Sequence, residues 1–283
     1  VTSQQISATD PGQLALIFDL SGVIDFSLFQ KAWQYTTIRH AALRTHVNKL
    51  GDQQIVAEEA MLPWTFLDWS EVSETTFKQQ LDQLHTSEIN QPINLKIAPA
   101  SRLLLIKESA TEHVLFWSCH HLFLDGWSCG IILKDALTYY EVLQKQTTFN
   151  LPAIPGFTAY LQWEQNQNRD AIEHFWKQVL AGFQTPLVFG QSDTASVGVG
   201  SFKDDFLKIN TKTATQIRAW CQHHRITLST WCQGMWTILL SKYFEQQDVV
   251  FGMAVSGRFV DFPRIELMSG LMMNVIPNRV KIN

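Results

Sequence analysis

The sequence contains few charges and no block of one sign. Its 283 residues include 22 lysines and arginines against 26 aspartates and glutamates, which gives a formal net charge of −4. Nucleic acids and anionic lipid surfaces usually bind a concentrated basic patch, so this composition argues against both kinds of partner. The apolar runs are also too short to cross a bilayer, and we therefore expect no contact with a membrane.

Cysteine is scarce as well. The four cysteines form no CxxC pair and lie at Cys119, Cys129, Cys221 and Cys232. Without the ligand spacing of a zinc site or a dense disulfide pattern, we expect buried thiols in a reducing, cytoplasmic setting and no bound metal. Hydrophobic residues make up 46% of the chain and aromatic residues 12%, which is enough to build the core of one or two domains.

The most informative stretch is residues 113–128, HVLFWSCHHLFLDGWS. Its first seven residues form the apolar run of a buried strand, and Asp125-Gly126 predicts a turn. From Trp127 onward, apolar residues recur at helical spacing. His120 and His121 therefore lie where a strand ends and a helix is about to begin, a position from which a loop can present side chains to a cleft.

Adjacent strand residues point to opposite faces, so His120 and His121 cannot easily act together. One should turn inward and the other should face a cleft, where an imidazole can accept a proton near neutral pH. Asp125 can hold the loop by accepting backbone N–H bonds or pairing with an arginine. Gly126 permits an unusual backbone conformation or the close approach of a ligand. A core histidine at a strand end and a helix-capping aspartate explain the same residues without chemistry, whereas a zinc site with the flanking cysteines lacks a recognised ligand spacing.

Hydrophobic periodicity predicts a mixed α/β chain. Strands are expected at 14–20, 43–47, 53–56, 102–107, 113–119, 202–209 and 249–255. Helices are expected from about residue 25 and at 72–90 and 127–145, in an aromatic-rich stretch up to about 180, and at 213–225 and 228–244. We interpret residues 182–200, which contain several glycines and few charges, as a crossing between an N-terminal lobe, 1–181, and the start of a C-terminal lobe, 201–283.

The histidine stretch is one of four motifs that follow one another along the chain. HHLFLDG (120–126) is preceded by RHAALRT (39–45) and followed by FTAYLQW (157–163) and SGLMMNVIPNR (269–279). In this order the set resembles the HHxxxDG, RHxxLRT, YxxYxxW-type and GxxxNxxPxR motifs of the condensation domains of nonribosomal peptide synthetases. Heterocyclisation domains have aspartates in place of the two histidines, and epimerisation domains usually have a tryptophan after the serine, so the sequence favours condensation.

The resemblance implies a two-lobed α/β fold of the chloramphenicol acetyltransferase type, with the histidine loop in a tunnel where the lobes meet. It implies that an acyl or peptidyl thioester on a donor carrier protein forms an amide with an aminoacyl acceptor on a second carrier protein. Phosphopantetheine arms would carry both substrates, no cofactor would bind directly, and adenylation or polyketide synthase domains would be neighbours. An ester-forming or coenzyme A-dependent acyltransferase of this fold and a non-catalytic recruiting domain are the alternatives.

The resemblance also assigns roles to the catalytic motif. His121 is expected in the tunnel, as a general base or as a group that orients and stabilises the tetrahedral intermediate. His120 and Asp125 complete the motif, with Asp125 holding the loop, and the Gly126 amide is expected to act at the developing charge. Relative to the family, the chain lacks the opening segment and stops soon after the last motif, so we expect an incomplete second lobe that the same chain or a partner completes.

Four further residues are expected around this motif. The resemblance implies that Trp127 and Ser128 line the wall of the substrate tunnel, although an ordinary helix start explains them equally well. Asn274 lies in an apolar segment and is expected to be a buried amide, which requires partners. It either braces a bridging segment or, because the resemblance places this segment across the cleft, binds substrate. Arg44 is expected to pair with Asp125 and so to support the loop.

Overall fold

The computed structural model describes residues 2–6, 10, 12–148, 151–184, 186–187 and 207–282. Within these ranges the chain forms nine strands and seven α-helices. The strands are β1 (Thr2–Ile6), β2 (Gln13–Ser21), β3 (Thr45–Val47), β4 (Gln54–Val56), β5 (Trp64–Asp68), β6 (Ser101–Lys107), β7 (Glu112–His120), β8 (Asp248–Val255) and β9 (Asn274–Lys281). The helices are α1 (Phe26–Arg39), α2 (Glu74–Asn90), α3 (Gly126–Lys145), α4 (Phe157–Gln165), α5 (Arg169–Val179), α6 (Thr211–His223) and α7 (Leu228–Phe244).

The main sheet places the histidine motif at the end of its central strand. Its strand order is β1-β2-β7-β6-β5, antiparallel except for the parallel pair β5–β6. In this register His120 pairs with Gln13 on β2, and Cys119 pairs with Ser101 on β6. Because both neighbours hold β7 up to its last residues, the point at which the chain leaves the sheet is fixed.

Strand β7 is buried on both faces, which explains its continuous apolar sequence. Leu115 and Trp117 pack into a core formed with α1 and α3, whereas Val114 and Phe116 pack into a second core with α2. All four side chains are less than 5% exposed. Since full burial of a large apolar side chain is worth roughly 1.5–3 kcal/mol, this strand is among the most strongly held parts of the sheet.

Helix α1 follows the predicted pattern. The four residues expected on its inner face are all buried: Phe29, Ala32, Trp33 and Thr36. Asp25 caps its N-terminus, since its Oδ1 accepts the Leu28 N–H at 3.0 Å. The helix packs against α3, which connects the RHAALRT segment at the end of α1 with the helix that follows the histidine loop.

The chain divides into two compact units. The first comprises residues 1–166 and 256–273, and the second comprises residues 167–255 and 274–283. Within the second unit, β8 and β9 form an antiparallel pair, and Arg279 joins Asp248 at 2.6 Å while donating to the carbonyls of Val179 and Ala181. The predicted lobe bounds stay a prediction, and most of the expected crossing at 182–200 lies outside the described residues.

Most predicted elements are confirmed to within three residues, and the differences are of three kinds. Strands β1, β5 and β9 were not expected. The aromatic stretch up to residue 180 is two helices, α4 and α5, interrupted at Asn166. The strand expected at 202–209 falls mainly on residues that are not described, and 207–210 have no regular structure. In the described part of the chain, every helix is too short or too polar to span a membrane.

Candidate active site

The histidine loop is closed at both ends by local hydrogen bonds. At its start, the Phe123 N–H donates to the carbonyl of His120 at 3.1 Å. At its end, Asp125 is the N-cap of α3, and its Oδ1 accepts the Ser128 N–H at 2.8 Å. The predicted strand and helix are therefore confirmed, with helix α3 starting at Gly126. The turn expected at Asp125-Gly126 is wrong, because the turn lies at residues 121–123 and Asp125 caps the helix.

His120 is the inward-facing histidine. It is 8% exposed, and its Nδ1 accepts the Leu122 N–H at 3.0 Å, so Nε2 carries the ring proton in the neutral form. This Nε2 lies 3.3 Å from the Asp10 carboxylate. Gly12 packs against the ring so closely that an added Cβ would lie 2.5 Å from it. His120 is therefore held by its surroundings.

His121 has the opposite environment. Its backbone N–H donates to the Gly12 carbonyl at 2.6 Å, which fixes the main chain. Its side chain lies beyond the end of β7 and is partly exposed. Among the described residues, the His121 imidazole has no hydrogen-bond partner, so both ring nitrogens are available to a substrate.

Asp125 is enclosed by donors from its own chain. Its residue exposure is 1%, and Oδ2 accepts Arg258 Nη1 at 2.8 Å and the Met272 and Met273 amides at 3.1 and 3.2 Å. Burial alone raises the pKa of Asp125, but the hydrogen bonds from Arg258 and Ser128 more than offset this effect, and the pKa is lowered. An ionised and fully occupied carboxylate holds the loop in place and has no lone pair left for a substrate.

The expected pairing of Arg44 with Asp125 is wrong. Arg44 donates instead to main-chain carbonyls, to Thr37 at 3.2 Å, to Glu58 at 3.1 Å and, in a short contact, to Ala57. It therefore ties the end of α1 to the chain after β4 and supports the fold at a different place. Asp125 pairs with Arg258, 133 residues further along the chain.

Trp127 and Ser128 both contact this ion pair. Ser128 is fully buried, and its Oγ lies 2.7 Å from Asp125 Oδ1, 3.0 Å from Arg258 Nη2 and 2.9 Å from the Gly270 carbonyl. Trp127 is 47% exposed, lies 5.8 Å from the Arg258 guanidinium and donates to the Glu266 carbonyl at 3.3 Å. The substrate contacts expected for these two residues stay predictions.

Gly126 has an ordinary helical backbone, so the expectation of an unusual conformation is wrong. It is exposed, and a Cβ added there would meet nothing within 4 Å. Among the described residues, no group accepts its N–H, as is usual for the first amide of a helix. The other expectation, close approach of a ligand to this amide, stays a prediction.

Asn274 is exposed, so its predicted burial is wrong. It is the first residue of β9, and its Oδ1 accepts the Val275 N–H at 2.8 Å. Burial was inferred from the apolar neighbours Met273 and Val275, but in a two-stranded pair half of such residues face outward. A role for Asn274 in substrate binding stays a prediction.

The described residues contain no group of three or more histidine, cysteine or acidic side chains that could hold a metal ion. The two cysteines that flank the motif, Cys119 and Cys129, are instead hydrogen-bonded to each other in the core. This contact together with burial raises the pKa of the Cys119 thiol, which keeps it protonated and unreactive at neutral pH.

Sequence reasoning missed three residues that hold the motif. Asp10 and Gly12 support the two histidines, and Arg258 neutralises Asp125. The Ser-Gly-Arg sequence at 256–258 was visible as the end of a strand. However, no local pattern connects it with a carboxylate 133 residues earlier.

Comparison with known families decides the classification. The model of the condensation-domain family matches residues 12–283. The chain belongs to this family. Condensation domains are acyl-transferring enzymes of nonribosomal peptide synthetases, so the sequence resemblance is confirmed at the level of the family.

Two curated relatives and two solved structures illustrate the match. Chondramide synthase cmdD of Chondromyces crocatus is 33% identical over 95% of this chain and 7% of the synthase. A linear gramicidin synthase of Brevibacillus parabrevis is 32% identical over 91% of this chain and 5% of that protein. SgcC5 from Streptomyces globisporus superposes with a TM-score of 0.79 and 18% identity over 99% of this chain and 65% of SgcC5. VibH, an NRPS condensation enzyme, gives a TM-score of 0.75 and 17% identity over 96% of this chain and 62% of VibH.

The structural and the sequence comparisons support different conclusions. The structural matches confirm the predicted α/β fold of the chloramphenicol acetyltransferase type. The condensation domain spans only a small fraction of the length of the two curated synthases. The reaction, substrates and partners of this protein are therefore matters for a proposal.

Proposed function

We propose that this condensation domain forms an amide bond between a carrier-bound acyl or peptidyl thioester and a carrier-bound aminoacyl acceptor. The observation that carries the proposal is the division of roles within the motif. Asp125 and His120 are occupied by partners from the chain itself, whereas the imidazole of His121 is unpaired among the described residues and partly exposed. A histidine with a fixed main chain and an unpaired ring, on a loop that is held by hydrogen bonds, suits the positioning of an amine and a thioester.

The reaction requires few protein groups, because the amine and the thioester supply the bonds that form and break. The acceptor amine attacks the thioester carbonyl, a C–N bond forms, the C–S bond breaks, and the donor thiol leaves. One proton passes from the amine nitrogen to the departing sulfur or to solvent. His121 accepts that proton or donates a hydrogen bond to the tetrahedral intermediate. The exposed Gly126 amide at the start of α3 provides a donor for the developing oxyanion.

The partners follow from the proposed substrates. Phosphopantetheine arms of donor and acceptor carrier proteins would deliver the two thioesters, in the cytoplasm and next to adenylation or polyketide synthase domains. Trp127 has an exposed side chain, and we propose that it contacts such an arm or its cargo. Asn274 is also exposed, and its role in substrate binding is a separate proposal. Ser128 is enclosed, so we propose that it acts on substrates only through the loop that it supports.

The reaction class is tested by incubating the protein with one acyl-loaded and one aminoacyl-loaded carrier protein and reading both carriers by intact-protein mass spectrometry. We expect the acyl mass to move from the donor to the acceptor and the product to resist hydroxylamine, because an amide survives where an ester is cleaved. A hydroxyl-bearing acceptor and an acyl-coenzyme A donor serve as parallel substrates.

The parallel substrates separate the alternatives. Transfer to the hydroxyl acceptor alone would replace amide formation by ester formation, and transfer from coenzyme A alone would remove the donor carrier protein from the proposal. Absence of transfer with every pair, while the protein retains its folded far-UV spectrum, would favour a recruiting domain.

A further inference from the structure

Segment 256–273, which belongs to the first compact unit, is held at the histidine loop by main-chain hydrogen bonds. Met272 and Met273 donate to Asp125, and the Gly270 N–H donates to Ser128 Oγ at 3.0 Å. The Ser128 hydroxyl has one proton and two acceptors within reach, Asp125 Oδ1 and the Gly270 carbonyl. The carboxylate is the stronger acceptor, so Ser128 donates to Asp125 and accepts from Gly270.

The residue before Gly270 is held from a second direction. Ser269 Oγ lies 3.1 Å from His40 Nδ1, and His40 Nε2 lies 2.9 Å from Asp135 Oδ2. Arg39 completes this group, since its Nε donates to the same Asp135 oxygen at 2.7 Å. His40 is 1% exposed, and Asp135 and Ser269 are each 8% exposed, so solvent competes little with these bonds.

The chemistry of these groups fixes their hydrogen bonds. Asp135 is flanked by two donors, and although burial alone raises its pKa, the hydrogen bonds from His40 and Arg39 give a net lowering. An ionised carboxylate can only accept, so His40 Nε2 must carry a proton. His40 Nδ1 then accepts from the Ser269 hydroxyl in the neutral ring and donates to it in the charged ring. The link to Ser269 therefore exists in both states.

We propose that His40 is a positioning residue for the condensation reaction, acting through Ser269. It fixes one side of segment 256–273 while Ser128 fixes the other, and the Met272 and Met273 amides of the same segment complete the coordination of Asp125. This inference rests on the proposed function, because the loop that is positioned carries His121. It assigns a role to the histidine of the RHAALRT segment, which lies at the end of α1 and outside the histidine loop.

The test uses Ser269→Ala, because it removes the link while leaving the His40–Asp135–Arg39 group intact. Peptide hydrogen–deuterium exchange over residues 268–273 is measured beside single-turnover acyl transfer. We expect exchange of these amides to become about 10-fold faster, as for a lost buried hydrogen bond. We expect the maximal transfer rate to fall about 10-fold with the half-saturating acceptor concentration unchanged.

The matched control is Thr237→Val on α7. It also removes a hydroxyl that is almost fully buried, with Oγ1 donating to the Gln233 carbonyl at 2.7 Å, but it lies in the second compact unit. We expect it to change neither the exchange over residues 268–273 nor the transfer rate. A His40→Ala variant with the same effects as Ser269→Ala would support the proposal further.

Each outcome has a distinct meaning. Unchanged exchange over residues 268–273 in Ser269→Ala would overturn the anchoring role. Faster exchange with an unchanged transfer rate would overturn the link to the reaction. If the wild-type protein transferred no acyl group, the proposed function would fail, and the exchange measurement would still decide whether Ser269 anchors the segment.

Discussion

Arg258 Nη1 lies 2.8 Å from Asp125 Oδ2, and both side chains are only 2% exposed. The two residues are 133 positions apart, so this ion pair joins the end of the histidine loop to segment 256–273 within one compact unit. Trp127 covers the guanidinium from outside, and Ser128 bridges the two charged groups. The aspartate of the HHxxxDG motif is thus held by a structural partner. The ion pair therefore also holds the loop that carries His121.

Arg258→Ala should destabilise the protein strongly. Removal of one partner of a buried ion pair leaves the other charge uncompensated and typically costs about 3–5 kcal/mol in the free energy of unfolding. Chemical denaturation measures this loss. Arg279→Ala is the control, since its partner Asp248 is 33% exposed and remains hydrated, and its effect should be smaller. Equal losses of unfolding free energy in the two variants would contradict the claim that burial makes the Asp125–Arg258 pair costlier to break.

The stability of the protein should decrease in acid because of Asp125. In the unfolded chain an aspartate titrates at a pKa of about 4. The folded pKa of Asp125 is lower, so its stabilising contribution is complete above about pH 4 and is lost as the pH falls through the folded pKa. Asp125→Asn should therefore be less stable at pH 7, and its stability should decline less steeply as the pH falls below about 4. Denaturation curves recorded across this range would contradict the account if both proteins declined in parallel.

Gly270→Ala should disturb the segment that contacts Ser128. Its φ is +154°, and an added Cβ would lie 2.6 Å from the Phe157 ring. We expect a loss of about 1–3 kcal/mol in thermal or chemical unfolding, from backbone strain and overpacking together. Gly130→Ala, on α3, is the matched control, because a Cβ there would meet nothing within 4 Å. Replacement of a helical glycine of this kind by alanine should stabilise the protein by about 0.5–1 kcal/mol.

The two histidines should differ in their effect on stability. His120→Ala removes a ring that accepts the Leu122 N–H and contacts Asp10, so the melting temperature should fall by several degrees, corresponding to about 1–3 kcal/mol. His121→Ala removes a ring without a hydrogen-bond partner among the described residues, and the melting temperature should change little. Differential scanning calorimetry distinguishes the two, and a larger loss for His121→Ala would reverse the assignment of inward and outward histidines.

Local patterns predicted the elements that carry the motif. The apolar run that ends at Cys119 and the periodicity after Trp127 predicted the strand and helix α3 to within a residue or so. The inner face of α1 was also correct, because helical periodicity depends only on neighbours within the same helix. Strand β5 was missed, since it lies at the edge of the sheet, where exposed and buried residues do not alternate regularly.

The sequence predicted which residues form the candidate site, but not the contacts between them. The division between His120 and His121 followed from strand geometry, although the sequence alone did not decide which one faces inward. The predicted partner of Asp125, Arg44, was wrong. Arg44 and Arg258 are equally suitable by residue type, and only the tertiary fold brings Arg258 to the carboxylate. The support from Gly12 likewise depends on the pairing of β2 with β7.

The central claim is that His121 promotes acyl transfer between two carrier-bound substrates, and one comparison tests it most directly. Wild type, His121→Ala and the exposed-residue control His174→Ala are incubated with loaded donor and acceptor carrier proteins, and the acyl mass on the acceptor is followed by intact-protein mass spectrometry. We predict transfer by wild type and by His174→Ala, and a rate lower by about 100-fold or more in His121→Ala with an unchanged melting temperature. Equal rates in all three proteins would contradict the assignment of His121.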